Sequence, residues 1–298
     1  MVNNIEGQGG LLRVRAVIAM CGLVAAWAGF APFAAAAPTT LTVGWLEVAA
    51  WLPESSTPGP WPVLVFSHGF KGCNTEITFL MEALANAGYA VFAPNHRDAT
   101  CAAMMWPVRP NAPFGEVGEW TEMTYRDRHD DIEKLLDGLA GDPRFQSPPF
   151  DWQHVGLVGY SLGGYAVLGV AGAWESWKDL RIKAVLALSP YTAPFVEHRT
   201  LGGLSAPVMF QGGTRDTGAT PNVAKAGGAF DQSPAPKYFV EFDGAGHFAW
   251  TNLNVTMQQP IVEYALAFLD RTLKEKPFPP PLAETHPGVS TIRVEDRR

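Results

Sequence analysis

Apolar residues along this chain fall into two kinds of pattern. Residues 63–67, 89–93, 155–159, 184–188, 207–211 and 238–242 are near-continuous apolar runs, as in Val63-Leu64-Val65-Phe66. Runs without polar alternation are expected of strands covered on both faces. Between them the apolar positions take helical spacing: Ile77, Leu80, Met81 and Leu84, then Ile132, Leu135, Leu136 and Leu139 with acidic residues opposite. This predicts amphipathic helices over 75–87, stopped by Gly88, and over 128–139. Further helices are predicted over 162–173 and 261–273. Residues 41–51 read as one antiparallel edge strand, followed by a Pro-rich connector. Strands alternating with helices over this length predict an α/β fold, with a mostly parallel central sheet flanked by helices and right-handed crossovers.

The pattern breaks in three places. Residues 100–124 carry Pro107, Pro110 and Pro113 with little period, which predicts a long loop near the functional face. Beyond Lys276 the chain turns Pro-rich and polar, so residues 277–298 are predicted to form a loosely ordered tail. At the other end Arg13 and Arg15 precede an apolar stretch over 16–33, and Ala34, Ala35, Ala36 and Ala37 follow. Residues 1–37 therefore read as an export signal, leaving one folded domain over 38–276. A retained membrane anchor is the alternative, because the stretch approaches the length of a spanning helix. Cleavage implies a secreted or periplasmic protein with no stable membrane insertion.

Composition narrows the partners. With 298 residues, 47% hydrophobic and 17% charged, the chain has material for a single large core. The net charge of −7 and the absence of a basic run argue against nucleic acid. Cys21 would leave with the signal, so Cys73 and Cys101 remain. In an oxidising compartment such a pair predicts one disulfide, two buried thiols being the alternative. The sequence has no H-E-x-x-H motif, no close set of metal-ligand residue types and no phosphate loop, so neither metal nor organic cofactor is expected. A monomer is expected.

The sharpest chemical signal is Gly159-Tyr160-Ser161-Leu162-Gly163-Gly164, placed between a predicted buried strand and a predicted helix. A turn that tight needs glycines beside the serine, and it lifts the hydroxyl out of the sheet. Ser161 is therefore the expected nucleophile. A serine needs a base, and His247, in the Gly-rich loop after the last predicted strand, is the expected one, with His96 as its rival. Asp216, after the strand at 207–211, is the expected acid, with Asp243 as the alternative. The order Ser, Asp, His along the chain suits this arrangement. For the oxyanion, Leu162 and Phe70 are the expected backbone N–H donors. His68 is read as structural.

Together these blocks resemble the dienelactone-hydrolase-like group of α/β-hydrolases, whose wider relatives include bacterial polyester hydrolases, cutinases and plasma-type platelet-activating-factor acetylhydrolases. The resemblance runs from about Trp61 to Leu269. It is carried by Ser67-His68-Gly69-Phe70, Asn95-His96-Arg97-Asp98, the serine motif and Gly246-His247-Phe248. It implies the α/β-hydrolase fold and a serine carboxylic-ester hydrolase working through an acyl-enzyme. The acetylhydrolase branch takes its acid just after the strand following the nucleophile helix. Here that place reads Leu188-Ser189-Pro190-Tyr191, without a carboxylate, and Asp216 matches the polyester-hydrolase and dienelactone-hydrolase arrangement instead. The polyester-hydrolase resemblance implies that Phe70 and Tyr191 hold the acyl group between them, ordinary wall residues being the alternative. The loop from Cys101 through Trp106, with Phe248 and Trp250 beside the base, is expected to extend an apolar groove, and the resemblance implies that Cys73 pairs with Cys101. Two other readings stand beside the esterase: a lipase or polyester hydrolase on insoluble substrate, and a non-catalytic binding protein on a hydrolase scaffold.

Overall fold

The computed structural model describes residues 38–100, 109–146 and 149–296. Nine strands form one sheet: β1 (Thr39–Val43), β2 (Leu46–Trp51), β3 (Trp61–Ser67), β4 (Ala90–Pro94), β5 (Phe150–Tyr160), β6 (Ile182–Leu188), β7 (Val208–Gly213), β8 (Lys237–Phe242) and β9 (Val289–Glu295). Their order is β1-β2-β4-β3-β5-β6-β7-β8-β9. The strands from β4 through β8 run parallel, and antiparallel pairs close both edges. This is the predicted α/β-hydrolase arrangement.

Helices cover both faces. On one lie α2 (Arg126–Gly141) and α3 (Leu162–Leu168), and on the other α1 (Thr78–Asn86) and α7 (Gln258–Leu273). Short helices α4 (Ala193–His198), α5 (Thr220–Ala224) and α6 (Ala229–Gln232) fill connections. The apolar runs follow directly from this layering. Val63 and Val65 enter the core under α2 and α3, while Leu64 and Phe66 enter the core under α1 and α7. Each such fully buried side chain contributes about 1.5–3 kcal/mol, so a strand between two helical layers has no position to spare for polar residues. Among the described residues no helix is long and apolar enough to cross a membrane.

Four local expectations change. Residues 41–51 are a hairpin rather than one strand, because Gly44 at φ 60° turns β1 back onto β2. The nucleophile helix is regular only to Leu168, and Gly169–Ala173 continue in wider π-type turns kinked at Gly172, φ 117°. The described part of the long loop is anchored by Trp120, which is fully buried against Tyr165 and Tyr191 and donates its indole N–H to the Pro113 carbonyl at 3.0 Å. The region after Lys276 ends in β9, which pairs with β8 and sets Val289, Ile292 and Val294 against the core. The prolines stop at Pro287, and the alternating segment after them satisfies the backbone groups of an otherwise open sheet edge. Residues 1–37 and 101–106 lie outside the described residues. Cys73 Sγ lies 3.4 Å from the Thr75 hydroxyl, and the expected bridge falls on Cys101, outside the described residues.

Candidate active site

Ser161 sits where β5 breaks into α3, at φ 52° and ψ −113°, backbone that L residues seldom adopt. Its neighbours explain how the strain is held. A Cβ on Gly159 would lie 2.3 Å from the Gly163 oxygen, one on Gly163 would lie 1.9 Å from the Ser67 oxygen, and one on Gly164 would lie 2.5 Å from Pro190 Cβ. Only hydrogen fits at these three positions, and the packed backbone forces the serine outward.

The structure brings Ser161, His247 and Asp216 together. His247 Nε2 lies 3.0 Å from Ser161 Oγ and Nδ1 lies 3.2 Å from Asp216 Oδ1. The loops after β7 and β8 can approach this closely because Gly213 lacks a Cβ, which would lie 2.3 Å from the Ala245 oxygen. Asp216 is 2% exposed. Burial pushes its pKa up, but hydrogen bonds from His247 and Ser189 outweigh burial and hold it below the usual carboxylate range. Thr220 Oγ1 (3.2 Å) and the Ala219 N–H (3.3 Å) also donate to it. A carboxylate at Nδ1 leaves the imidazole proton there, so Nε2 is free to accept the serine proton.

Ser189, which the sequence reading passed over, lies at the centre of this arrangement. Its hydroxyl donates to Asp216 Oδ2, and its oxygen lies 2.8 Å from His247 Nδ1. The Nδ1 proton is thus shared between a carboxylate oxygen and a hydroxyl oxygen. Tyr160, inside the serine motif, donates its hydroxyl to the His247 carbonyl at 2.9 Å and fixes the base loop from beneath.

The rivals are engaged elsewhere. His96 is buried, with Nε2 2.8 Å from Ser67 Oγ and Nδ1 2.9 Å from Asp131. Asp243 is exposed and accepts from Thr214. Trp250 does not line a groove: it is fully buried and donates its indole N–H to Gln211 Oε1 at 3.0 Å. It anchors the base loop in the core, whereas Phe248, expected beside it in the groove, is exposed.

The Phe70 and Leu162 N–H groups have no acceptor among the described residues, as oxyanion donors require. Tyr191 follows the nucleophile closely, its N–H donating to the Ser161 carbonyl at 2.9 Å. Phe70 and Tyr191 are both packed against Phe114 of the long loop, whose ring centroid lies 5.5 Å from Phe70 and 5.1 Å from Tyr191. Among the described residues one group has metal-ligand character, His129, Asp130 and Glu133, and its acids are exposed while His129 is engaged by Asp130 at 2.8 Å.

The site therefore offers a serine hydroxyl with a base, a buried acid and two free backbone donors, the parts acyl transfer requires. Platelet-activating factor acetylhydrolase of Cavia porcellus is 24% identical over 179 residues, covering 50% of this chain and 39% of that protein. The chain thus spans about two fifths of that relative's length. The dienelactone hydrolase family matches residues 48–265, from β2 into α7 and across every loop that holds the site. By that match the chain is a hydrolase that belongs to the dienelactone hydrolase family, within the α/β-hydrolase superfamily.

Proposed function

We propose that this hydrolase cleaves carboxylic esters through an acyl-enzyme on Ser161. The observation that carries the reading is the 3.0 Å contact between His247 Nε2 and Ser161 Oγ, with Nδ1 turned onto a buried carboxylate. His247 takes the Ser161 proton as Oγ attacks the ester carbonyl. The Phe70 and Leu162 N–H groups meet the oxyanion, and His247 then gives its proton to the departing alcohol. Water, deprotonated by His247, releases the acid and restores Ser161.

Phe114 supports a preference for short or flat acyl groups, because its ring packs against both Phe70 and Tyr191. A second reading, an insoluble ester as substrate, is supported by Phe248, Leu253 and Val255, which follow the base and are 66%, 86% and 72% exposed. Hydrolysis of p-nitrophenyl esters from acetate to palmitate, alongside a polyester film, tests both. Soluble short esters cleaved fastest, with all activity lost in Ser161→Ala, is the expected result. Folded wild-type protein without activity on any ester would refute it and favour a binding role.

Export to a secreted or periplasmic location belongs to the same proposal, supported by Arg13, Arg15 and the apolar and alanine stretches after them. N-terminal sequencing of the exported protein should give a start near residue 38, and an intact N-terminus would refute cleavage.

A further inference from the structure

A group of buried charged residues lies beneath the loop after β3, and none of them takes part in the proton transfers described above. Its centre is Arg128, in the first turn of α2, which is 0% exposed. A buried guanidinium needs a counter-charge, and Asp98 supplies one at 2.8 Å. Both Nη groups of Arg128 also reach the end of β3 and the loop after it, while Nε has no partner among the described residues. Nη1 reaches Ser67 Oγ (3.2 Å) and the His68 carbonyl (2.6 Å), and Nη2 reaches the Gly69 carbonyl (3.2 Å).

The Gly69 carbonyl and the Phe70 N–H belong to one planar trans peptide, so they point in opposite directions. Whatever fixes the carbonyl aims the N–H. Three donors converge on that oxygen: Arg128 Nη2, His68 Nδ1 at 2.7 Å and the Gly72 N–H at 3.1 Å. His68 is committed to this role, because its Nε2 accepts the His96 N–H at 3.1 Å, which leaves the ring proton on Nδ1. The Gly72 bond moves with the loop and sets only its local shape. Arg128 and His68 tie the same oxygen to α2 and β3, hence to the frame that carries Ser161. The neighbouring amides are also engaged, Gly69 N–H by Glu76 at 2.8 Å and Lys71 N–H by Asp98 at 3.4 Å. The Phe70 N–H, by contrast, has no acceptor among the described residues.

We infer that Arg128 is a positioning residue for the oxyanion hole, holding the Gly69 carbonyl from behind so that the Phe70 N–H faces the developing negative charge. Its cation also polarises that peptide and strengthens the N–H as a donor. The inference rests on the proposed serine-esterase reading. Removing Arg128 alone would strand Asp98, so the test is the paired variant Arg128→Met/Asp98→Asn, with Arg128→Lys beside it. Each is measured with a short p-nitrophenyl ester, with wild type and Ser161→Ala as references.

Losing a whole oxyanion donor costs about 100- to 1,000-fold in kcat. A misaimed one is expected to cost about 10- to 100-fold in kcat, with KM changed less than about threefold. Affinity for phenylboronic acid, whose serine adduct carries a negative oxygen, should fall by the same factor, and the low-field proton resonance of His247 Nδ1 should be unchanged. If the paired variant does not fold, Arg128→Lys decides on the same readouts. Folded variants with wild-type kcat would overturn the inference, as would loss of the His247 resonance together with kcat, which would place the damage in the triad. Inactive wild type, or activity surviving Ser161→Ala, would overturn the serine-esterase reading and the inference with it.

Discussion

Replacing Ser189 with alanine removes one oxygen from a fully buried position and alters two partners at once. Asp216 Oδ2 loses a donor but keeps Thr220, while His247 Nδ1 loses its 2.8 Å contact and keeps Asp216 Oδ1 at 3.2 Å. A hydrogen bond to a charged group is worth about 1.5–3 kcal/mol, and here part of it is retained by the surviving partners. A net loss of about 1–2 kcal/mol of transition-state stabilisation follows, or about 5- to 30-fold in kcat/KM at neutral pH, since about 1.4 kcal/mol is tenfold. Removing Asp216 itself should cost far more, on the order of 10,000-fold. The sign of the pH effect is fixed by the same bonds. Asp216 is held below the usual carboxylate range, so its charge is present above that range and lost as pH falls through its pKa. Without the Ser189 donor that pKa rises, so the stability that the Asp216 charge contributes is lost at higher pH than in wild type. Steady-state kinetics at neutral pH with a short p-nitrophenyl ester, and thermal melts at fixed pH values from 3 to 7, measure both effects. A variant within twofold of wild type, with an unchanged dependence of Tm on pH, would refute the reasoning. One as crippled as Asp216→Ala would show that Ser189, not Asp216, supports the imidazole.

Three other outcomes follow from the geometry. Gly163→Ala puts a Cβ 1.9 Å from the Ser67 oxygen, so it should cost about 3 kcal/mol or more of stability, visible as a large fall in Tm or no soluble protein; a normal melt would show the elbow to be looser than described. Phe114→Ala should shift the acyl-chain optimum to longer esters while leaving acetate hydrolysis within a few-fold, and an unchanged optimum would remove Phe114 from the acyl site. Asp131, beside His96, has its pKa raised to about 6 by burial, so the native state is progressively penalised as pH rises from about 4 to 6. Asp131→Asn should therefore gain stability relative to wild type across that window, as read by melting at fixed pH values, and a constant difference would contradict the assignment.

Much of this site was legible because its constraints are local. The glycines around Ser161 and the strand ends before Asp216 and His247 mark tight turns that few other sequences fill, so motif and chain order carried the triad. Ser189 gave no such signal. A serine after β6 looks like any loop residue, and its role exists only because β6 and β7 are neighbours in the sheet. Arg128 was hidden for the opposite reason. Within Arg126-Asp127-Arg128-His129-Asp130 it resembles a solvated helix start, and only the topology places that turn under the loop after β3. Trp250 was misassigned because closeness to His247 along the chain says nothing about which way a side chain turns. β9 was missed because the prolines before it dominate the local composition, and Phe114 because its loop has no period to read.

The central claim is that Ser161 is a nucleophile activated by His247. Treating the folded protein with a fluorophosphonate and mapping the adduct by mass spectrometry tests it most directly. One equivalent on the peptide holding Ser161, absent in Ser161→Ala and formed far more slowly in His247→Ala, is the predicted result. No adduct, or an adduct on another residue, would contradict it.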